Sequence, residues 1–135
     1  MGTGPNFVLD KGFYANGTTA YAVGEAVTID TAVQSMKRIG AAATAADRVM
    51  VCMEACDASK LTANPGKVVL RARMSGIARA LVGTGGFAKG ARLTTNASSQ
   101  FVTQATAGGP VVAVALEAGT AGGYAEIELT PGATL

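Results

Sequence analysis

Two stretches of this chain alternate strictly between apolar and polar positions, and they carry opposite charges. In the first, Val68, Leu70, Ala72 and Met74 fall on one face while Val69, Arg71 and Arg73 fall on the other. In the second, Ala125, Ile127 and Leu129 share a face opposite Tyr124, Glu126 and Glu128. Alternation with a period of two predicts half-buried strands. Each stretch follows a short, continuously apolar run, Arg48–Ala55 (RVMVCMEA) and Val112–Ala118 (VAVALEA), with the common pattern V-x-V-x-[ML]-E-A. A run that is apolar on both faces predicts a central strand covered from two sides. Both runs close on a carboxylate, Glu54 or Glu117.

The likeness extends upstream. Gly17–Gln34 aligns without a gap to Gly83–Gln100, 66 positions on, so the chain reads as an internal pseudo-repeat of 17–75 and 83–129. In the first copy a turn at Gly24 leads into a strand at Ala26–Ile29. The next segment is ambiguous, because Val33, Met36 and Ile39 recur at threes behind a potential cap, Asp30. Gly40 interrupts that helical pattern and the counterpart Phe101–Thr103 is strand-like, so a strand over Ser35–Ile39 followed by an Ala-rich loop is preferred. Asp57–Lys67 reads as a long connection with a turn at Asn64-Pro65-Gly66. Gly76–Val82 reads as a strand linking the copies, and Pro131-Gly132 as the end of the fold. Roughly nine or ten short strands predict an all-β fold, a small β-barrel or β-sandwich in a single domain. A copy of about 50 residues is too short for a comfortable core of its own, so one domain of two related halves sharing a core is expected. Residues 1–16 read as an N-terminal arm, or alternatively as a first edge strand, ahead of a β domain at 17–135.

A chain of 135 residues fits one domain. Its net charge of +2 implies neither a nucleic-acid nor a membrane partner. The distribution says more. Lys60–Arg92 holds seven basic residues and no acidic one, whereas Leu93–Leu135 holds three acidic residues and no basic one. A basic middle and an acidic end could meet between subunits. Cys52 and Cys56, on one face of a strand, would lie about 13 Å apart at ~3.3 Å per residue, too far for a disulfide. They read as buried thiols of a protein made in a reducing cytoplasm. The N-terminal residues lack the basic-then-apolar pattern of a signal peptide, and no apolar stretch approaches the ~18 residues of a membrane span.

Candidate chemistry is sparse. The chain has no histidine, which removes the commonest general base and metal ligand together. Its carboxylates have neither metal-loop nor paired acid-base spacing, and Cys52 with Cys56 alone makes a poor zinc site. Gly83-Thr84-Gly85-Gly86-Phe87-Ala88 matches a phosphate-binding G-x-G-x-x-[GA] pattern, but a turn and a strand follow where a helix is required. No catalytic, cofactor-binding or metal-binding residue is assigned, and no cofactor or small-molecule substrate is expected. The basic run could track a single nucleic-acid strand, yet only Phe87 is near to stack bases. A solvated face or a subunit interface paired to Glu126 and Glu128 is the preferred reading of Arg71 and Arg73.

K-G-x-x-L-T at Lys89–Thr94, a polar stretch through Gln100, and V-x-V-A-L-E-A-G-x-A-G-G-x-A-E-I-E-L at Val112–Leu129 resemble the C-terminal part of tailed-phage capsid decoration proteins, also called cement or head-stabilising proteins. The resemblance covers about the last 50 residues well and the first half loosely. It implies a non-enzymatic β protein, commonly trimeric, made in the host cytoplasm. Such a protein binds the outer surface of the phage head and stabilises it by bridging major capsid protein subunits. The expected contacts with capsid or sister subunits are Pro5, Asn6, Phe7, Val8 and Leu9 in the arm, with Arg71, Arg73, Arg79, Glu126 and Glu128. A single-strand nucleic-acid-binding barrel, or a phage tail or fibre component, are the alternatives.

Overall fold

The structure, a computed structural model, describes residues 8–32 and 35–135. It holds two antiparallel five-stranded sheets. The first contains β1 (Leu9–Tyr14), β2 (Ala26–Asp30), β3 (Ser35–Arg38), β4 (Met50–Cys52) and β5 (Val69–Ser75), in the order β1-β5-β4-β2-β3. The second contains β6 (Ile77–Leu81), β7 (Arg92–Thr95), β8 (Phe101–Thr103), β9 (Pro110–Ala115) and β10 (Tyr124–Thr134), in the order β6-β10-β9-β7-β8. The two orders are the same topology. The expected all-β class holds, and of the two architectures the sandwich fits. Outside the ladders, the outer strands of each sheet approach each other at single bridges, Ala15 to Met36 and Val82 to Phe101, so neither sheet closes into a barrel.

The duplication reaches single hydrogen bonds. Tyr21 and Cys56 exchange two backbone bonds of 3.0 Å, and Phe87 and Gly119 exchange the equivalent pair at 3.0 and 2.8 Å. It also includes a strand on each side that the repeat pattern in the sequence leaves out. β1 lies against β5 just as β6 lies against β10. Leu9–Tyr14 is therefore a sheet edge.

Burial explains why β4 reads as apolar throughout. Met50, Val51 and Cys52 are all fully buried. Met50 and Cys52 join Val27, Met36, Leu70 and Ala72 in a core inside the first half. Val51 and Ala26 belong instead to a core with Ala78, Ala80 and Ile127 of the second half. The middle of the first sheet is thus covered on both faces. Complete burial of a Val or Met side chain stabilises by roughly 1.5–3 kcal/mol. Alanines at 26, 78, 80, 113 and 125, each at most 2% exposed, fill much of this shared core.

A hairpin tip fastens the halves together. Between β7 and β8, the Ser99 carbonyl accepts the Ala26 N–H at 2.8 Å, and its Oγ accepts the Gly40 N–H at 3.0 Å. Nearby, the Thr95 hydroxyl donates to the Ala41 carbonyl at 2.7 Å. Ser99 is the one non-glycine residue with positive φ among the described residues, at 58°. That conformation costs about 1–2 kcal/mol for a residue with a Cβ, and the bonds to the first half hold it. The same turn shifts the repeat. Ile29 pairs with Met36, whereas Thr95 pairs with Phe101, so the second hairpin is one residue shorter and the ungapped alignment slips there. Met36, not Ser35, is the equivalent of Phe101, and both are fully buried.

Two other expectations are corrected. Asp57–Lys67 is not merely a loop, because it carries a short helix, α1 (Ala58–Ala63), whose Leu61 is 1% exposed and joins the core of the first half. The second copy needs no such plug. Gly119, in the place of Cys56, lies so close to Phe87 that a Cβ would sit 2.8 Å from the ring. Pro131-Gly132 does not end the sheet either. β10 shifts register between Leu129 and Ala133, then pairs again with Val111 and Pro110. If α1 is part of the folded core, Leu61→Ala lowers unfolding stability by about 2–4 kcal/mol, read from the urea midpoint. An unchanged midpoint would show that the helix is an appendage.

Candidate interaction faces

The sequence-predicted contact residues that are described lie on the outer faces of two strand pairs. On the β1–β5 pair, the register sets Tyr14 beside Val69, Gly12 beside Arg71 and Asp10 beside Arg73. On the β6–β10 pair it sets Leu81 beside Tyr124, Arg79 beside Glu126 and Ile77 beside Glu128. The arms of the sandwich therefore present matching surfaces. Each has an apolar pair at one end and charges beyond it. Val8 and Leu9 are exposed where the chain enters β1. Pro5, Asn6 and Phe7 lie outside the described residues.

Arg71 and Arg73 share a strand face yet have different surroundings. Arg73 is gripped by Asp10 through two bonds, Nε to Oδ1 at 2.8 Å and Nη2 to Oδ2 at 3.1 Å, while its Nη1 donates to the Ile77 carbonyl at 2.8 Å. This bidentate fork, geometrically favourable for a carboxylate, ties β1 to β5 and both to the start of β6. Arg71 sits 3.6 Å from the same carboxylate with half of its side chain exposed. Hydrogen bonding from Arg73, opposed by burial and aided by both arginine charges, holds the Asp10 carboxyl below its ordinary value of 3.8. On the second face Arg79 lies 5.6 Å over the Tyr124 ring, an exposed cation–π contact of about 0.5–1 kcal/mol. Glu126 and Glu128 point outward beside it and are exposed.

Glu54 and Glu117, which close the repeated apolar runs, have a structural task. The Glu54 carboxylate accepts the Arg71 N–H at 3.4 Å, and Glu117 accepts the Glu126 N–H at 3.0 Å. In both copies the side chain supplies an acceptor just where the neighbouring strand, β4 or β9, has ended. A backbone donor left without one would carry a desolvation cost.

No family model matches this chain, and no curated protein does. Among solved structures, the chain is similar to the N base of the head fiber gp8.5 of bacteriophage phi29, with a TM-score of 0.62 and 12% identity, covering 96% of this chain and 98% of that one. The two share a fold. The likeness to the head fiber base spans both halves of the sandwich, and at this identity it transfers no individual residue.

The remaining candidates for chemistry are structural. The glycines at 83–86 turn into β7 without an intervening helix. Gly86 has φ of 62°, and a Cβ there would collide with the Gly119 carbonyl. Burial pushes the Cys52 thiol up to about 11, which makes it a poor nucleophile. Glu25 is buried in the turn before β2, where Oε1 accepts the Ala22 N–H at 2.9 Å and Oε2 lies 3.9 Å from Arg38. Burial raises its pKa despite those partners. A cleft of about 70 Å³ between Thr44–Val49 and Pro110–Val112 is far below the ~300 Å³ of a small ligand pocket, and a wider, open depression of about 340 Å³ lies among Thr28, Ile29, Lys37, Asp47 and Arg48.

Asp10 was not among the predicted contacts. Its signal was the alternation Asp10-x-Gly12-x-Tyr14, hidden by the adjacent Lys11 and Gly12. The alternation already sets Val69 and Tyr124 on the outward faces, where both are exposed, but neither is among the expected contacts, and the exposed Tyr14 is read only as part of the arm. The ion pair makes a pH prediction. A lowered folded pKa contributes stability that is present above the unfolded value and lost as pH falls through the folded one. Asp10→Asn is expected to cost about 1–2 kcal/mol at pH 7, with the deficit against the native chain narrowing below pH 3.8. Glu25 slopes the other way, its raised pKa favouring the folded state as the group takes up its proton. Thermal melts of both chains from pH 7 to pH 3 would check this, and a constant deficit would contradict it.

Proposed function

We propose that this chain is a non-enzymatic structural protein of a phage virion, bound as a homotrimer to the outer surface of the head and bridging major capsid protein subunits. The observation that carries the reading is the correspondence of fold along almost the whole length of both chains with the base of a phage head fiber. The decoration-protein resemblance of Lys89–Leu129 supports it from an independent direction. Both support an all-β structural protein of a phage particle. The two faces suit docking rather than catalysis, since their outward groups are tyrosines, aliphatic side chains, guanidiniums and carboxylates. Many copies on one lattice also gain avidity, so each contact can be weak.

A second reading, favoured by the identity of the structural neighbour, makes the chain the base of a fibre rather than a cement. The two differ in what is lost when the protein is absent: shell stability for a cement, an appendage for a base. A single-strand nucleic-acid reading has less support, because Arg73 is already engaged by Asp10.

Capsids assembled without the protein, mixed with purified chain and pelleted, are expected to carry it down at a saturating stoichiometry. Removal of residues 1–8, which spares the Asp10–Arg73 pair, is expected to weaken that binding by tenfold or more, because the arm is assigned to the capsid. Full binding by the truncated chain would remove the arm from the account. Failure of the intact chain to pellet would remove the capsid.

A further inference from the structure

We infer that copies of this chain associate head to tail, the β1–β5 face of one against the β6–β10 face of the next. This deepens the reading above and rests on it only for the presence of more than one copy. The argument is positional. The two faces are equivalent by duplication, so the same sites can be compared one by one. The apolar end is kept, Tyr14 with Val69 in one and Leu81 with Tyr124 in the other. Tyr14 and Val69 are each 54% exposed and Tyr124 is 43% exposed, among the largest exposures of apolar side chains described.

The charged end is inverted. By register Arg71 is replaced by Glu126 and Arg73 by Glu128, while on the edge strand Gly12 is replaced by a base, Arg79, and an acid, Asp10, by Ile77. Glu54 and Glu117 add one carboxylate in the same place on each face. Arg73 is engaged by Asp10, so the complementarity rests on the half-exposed Arg71 of one face against the exposed Glu126 and Glu128 of the other. Like charges set directly against one another are disfavoured. Pairing the first face with its own copy would bring Arg71 toward Arg71, and pairing the second with its own would bring Glu126 toward Glu126. The unlike pairing brings the apolar ends together and sets Arg71 toward Glu126. Such a contact is heterologous, and it closes into a ring when its rotation allows.

The test uses the full chain without capsids, which separates it from the capsid reading. Sedimentation at rising protein concentration in low salt is expected to show an oligomer that loosens as salt increases, because exposed charges are screened beyond ~10 Å at 0.1 M. Arg71→Glu alone and Glu126→Arg alone are each expected to raise the dissociation constant about tenfold or more. A chain carrying both changes restores the complementarity and is expected to recover most of the lost affinity. Both residues are on exposed strand faces, and circular dichroism would confirm that the variants fold. A native chain that stays monomeric overturns the proposal, as does a double variant no better than the singles. A monomer whose Arg71→Glu form loses capsid binding would assign the face to the capsid instead.

Discussion

The constraint on which the rest of this structure depends is the size of its unit. A five-stranded sheet formed by some 60 residues is marginal by itself; the first half has a core of its own, and the outer side of its central strands is covered by the other copy. Ala26 and Val51 lie on that side, being fully buried in the core of β6–β10 although they belong to the first sheet. The small side chains follow from it. Alanines across the shared core let backbone approach backbone. At the contact, Leu81 donates its N–H to the Gly24 carbonyl at 3.0 Å, and Gly24 has φ of 90° with no space for a Cβ. The strained Ser99 tip is a consequence of the same union, since its bonds to Ala26 and Gly40 exist only because the halves are packed.

Much of this was legible in the chain. The strands at 69–75 and 124–129 announce themselves because one of their faces is buried and the other wet, which enforces alternation. β4 was legible for the opposite reason, having no wet face. What failed to show was whatever depends on long-range pairing. β1 reads equally as an arm because Gly12 and Lys11 have weak strand preference, and only the partner β5 makes it a strand. α1 is six residues long, too short for a periodic signal, and Leu61 alone marks its buried side. The slip at the β7–β8 hairpin was invisible because the ungapped match still ends on a glutamine in each copy, Gln34 and Gln100, beyond the turn where the lengths differ. On the faces, the exchange of arginine for glutamate was plain, but the grip of Asp10 on Arg73 showed only once their register was known.

Duplication also explains why motifs that suggest chemistry lead nowhere. A feature needed by the fold is retained in both copies, whereas a feature that differs is free to serve something else. Glu54 and Glu117 are retained and complete the hydrogen bonding of β5 and β10. The aromatic at Tyr21 or Phe87 is retained and buried against its bridge partner. The glycine pattern at 83–86 is not retained as a pattern, and its tight contact at Gly86 is with Gly119, a residue peculiar to the second copy. Charge on the outer faces is the clearest difference between two units that otherwise match strand for strand.

The Asp10–Arg73 pair links these levels. It is an ion pair whose bidentate geometry and half-buried setting give it more weight than an exposed pair would have. Through it, β1 is held to β5, and Arg73 reaches onward to the carbonyl of Ile77, where the second copy begins. The point at which Val8 enters β1 is therefore fixed beside the Arg71 face and the junction of the halves. The first edge strand, the arginine face and the junction of the halves are thus tied together through the Asp10 carboxylate.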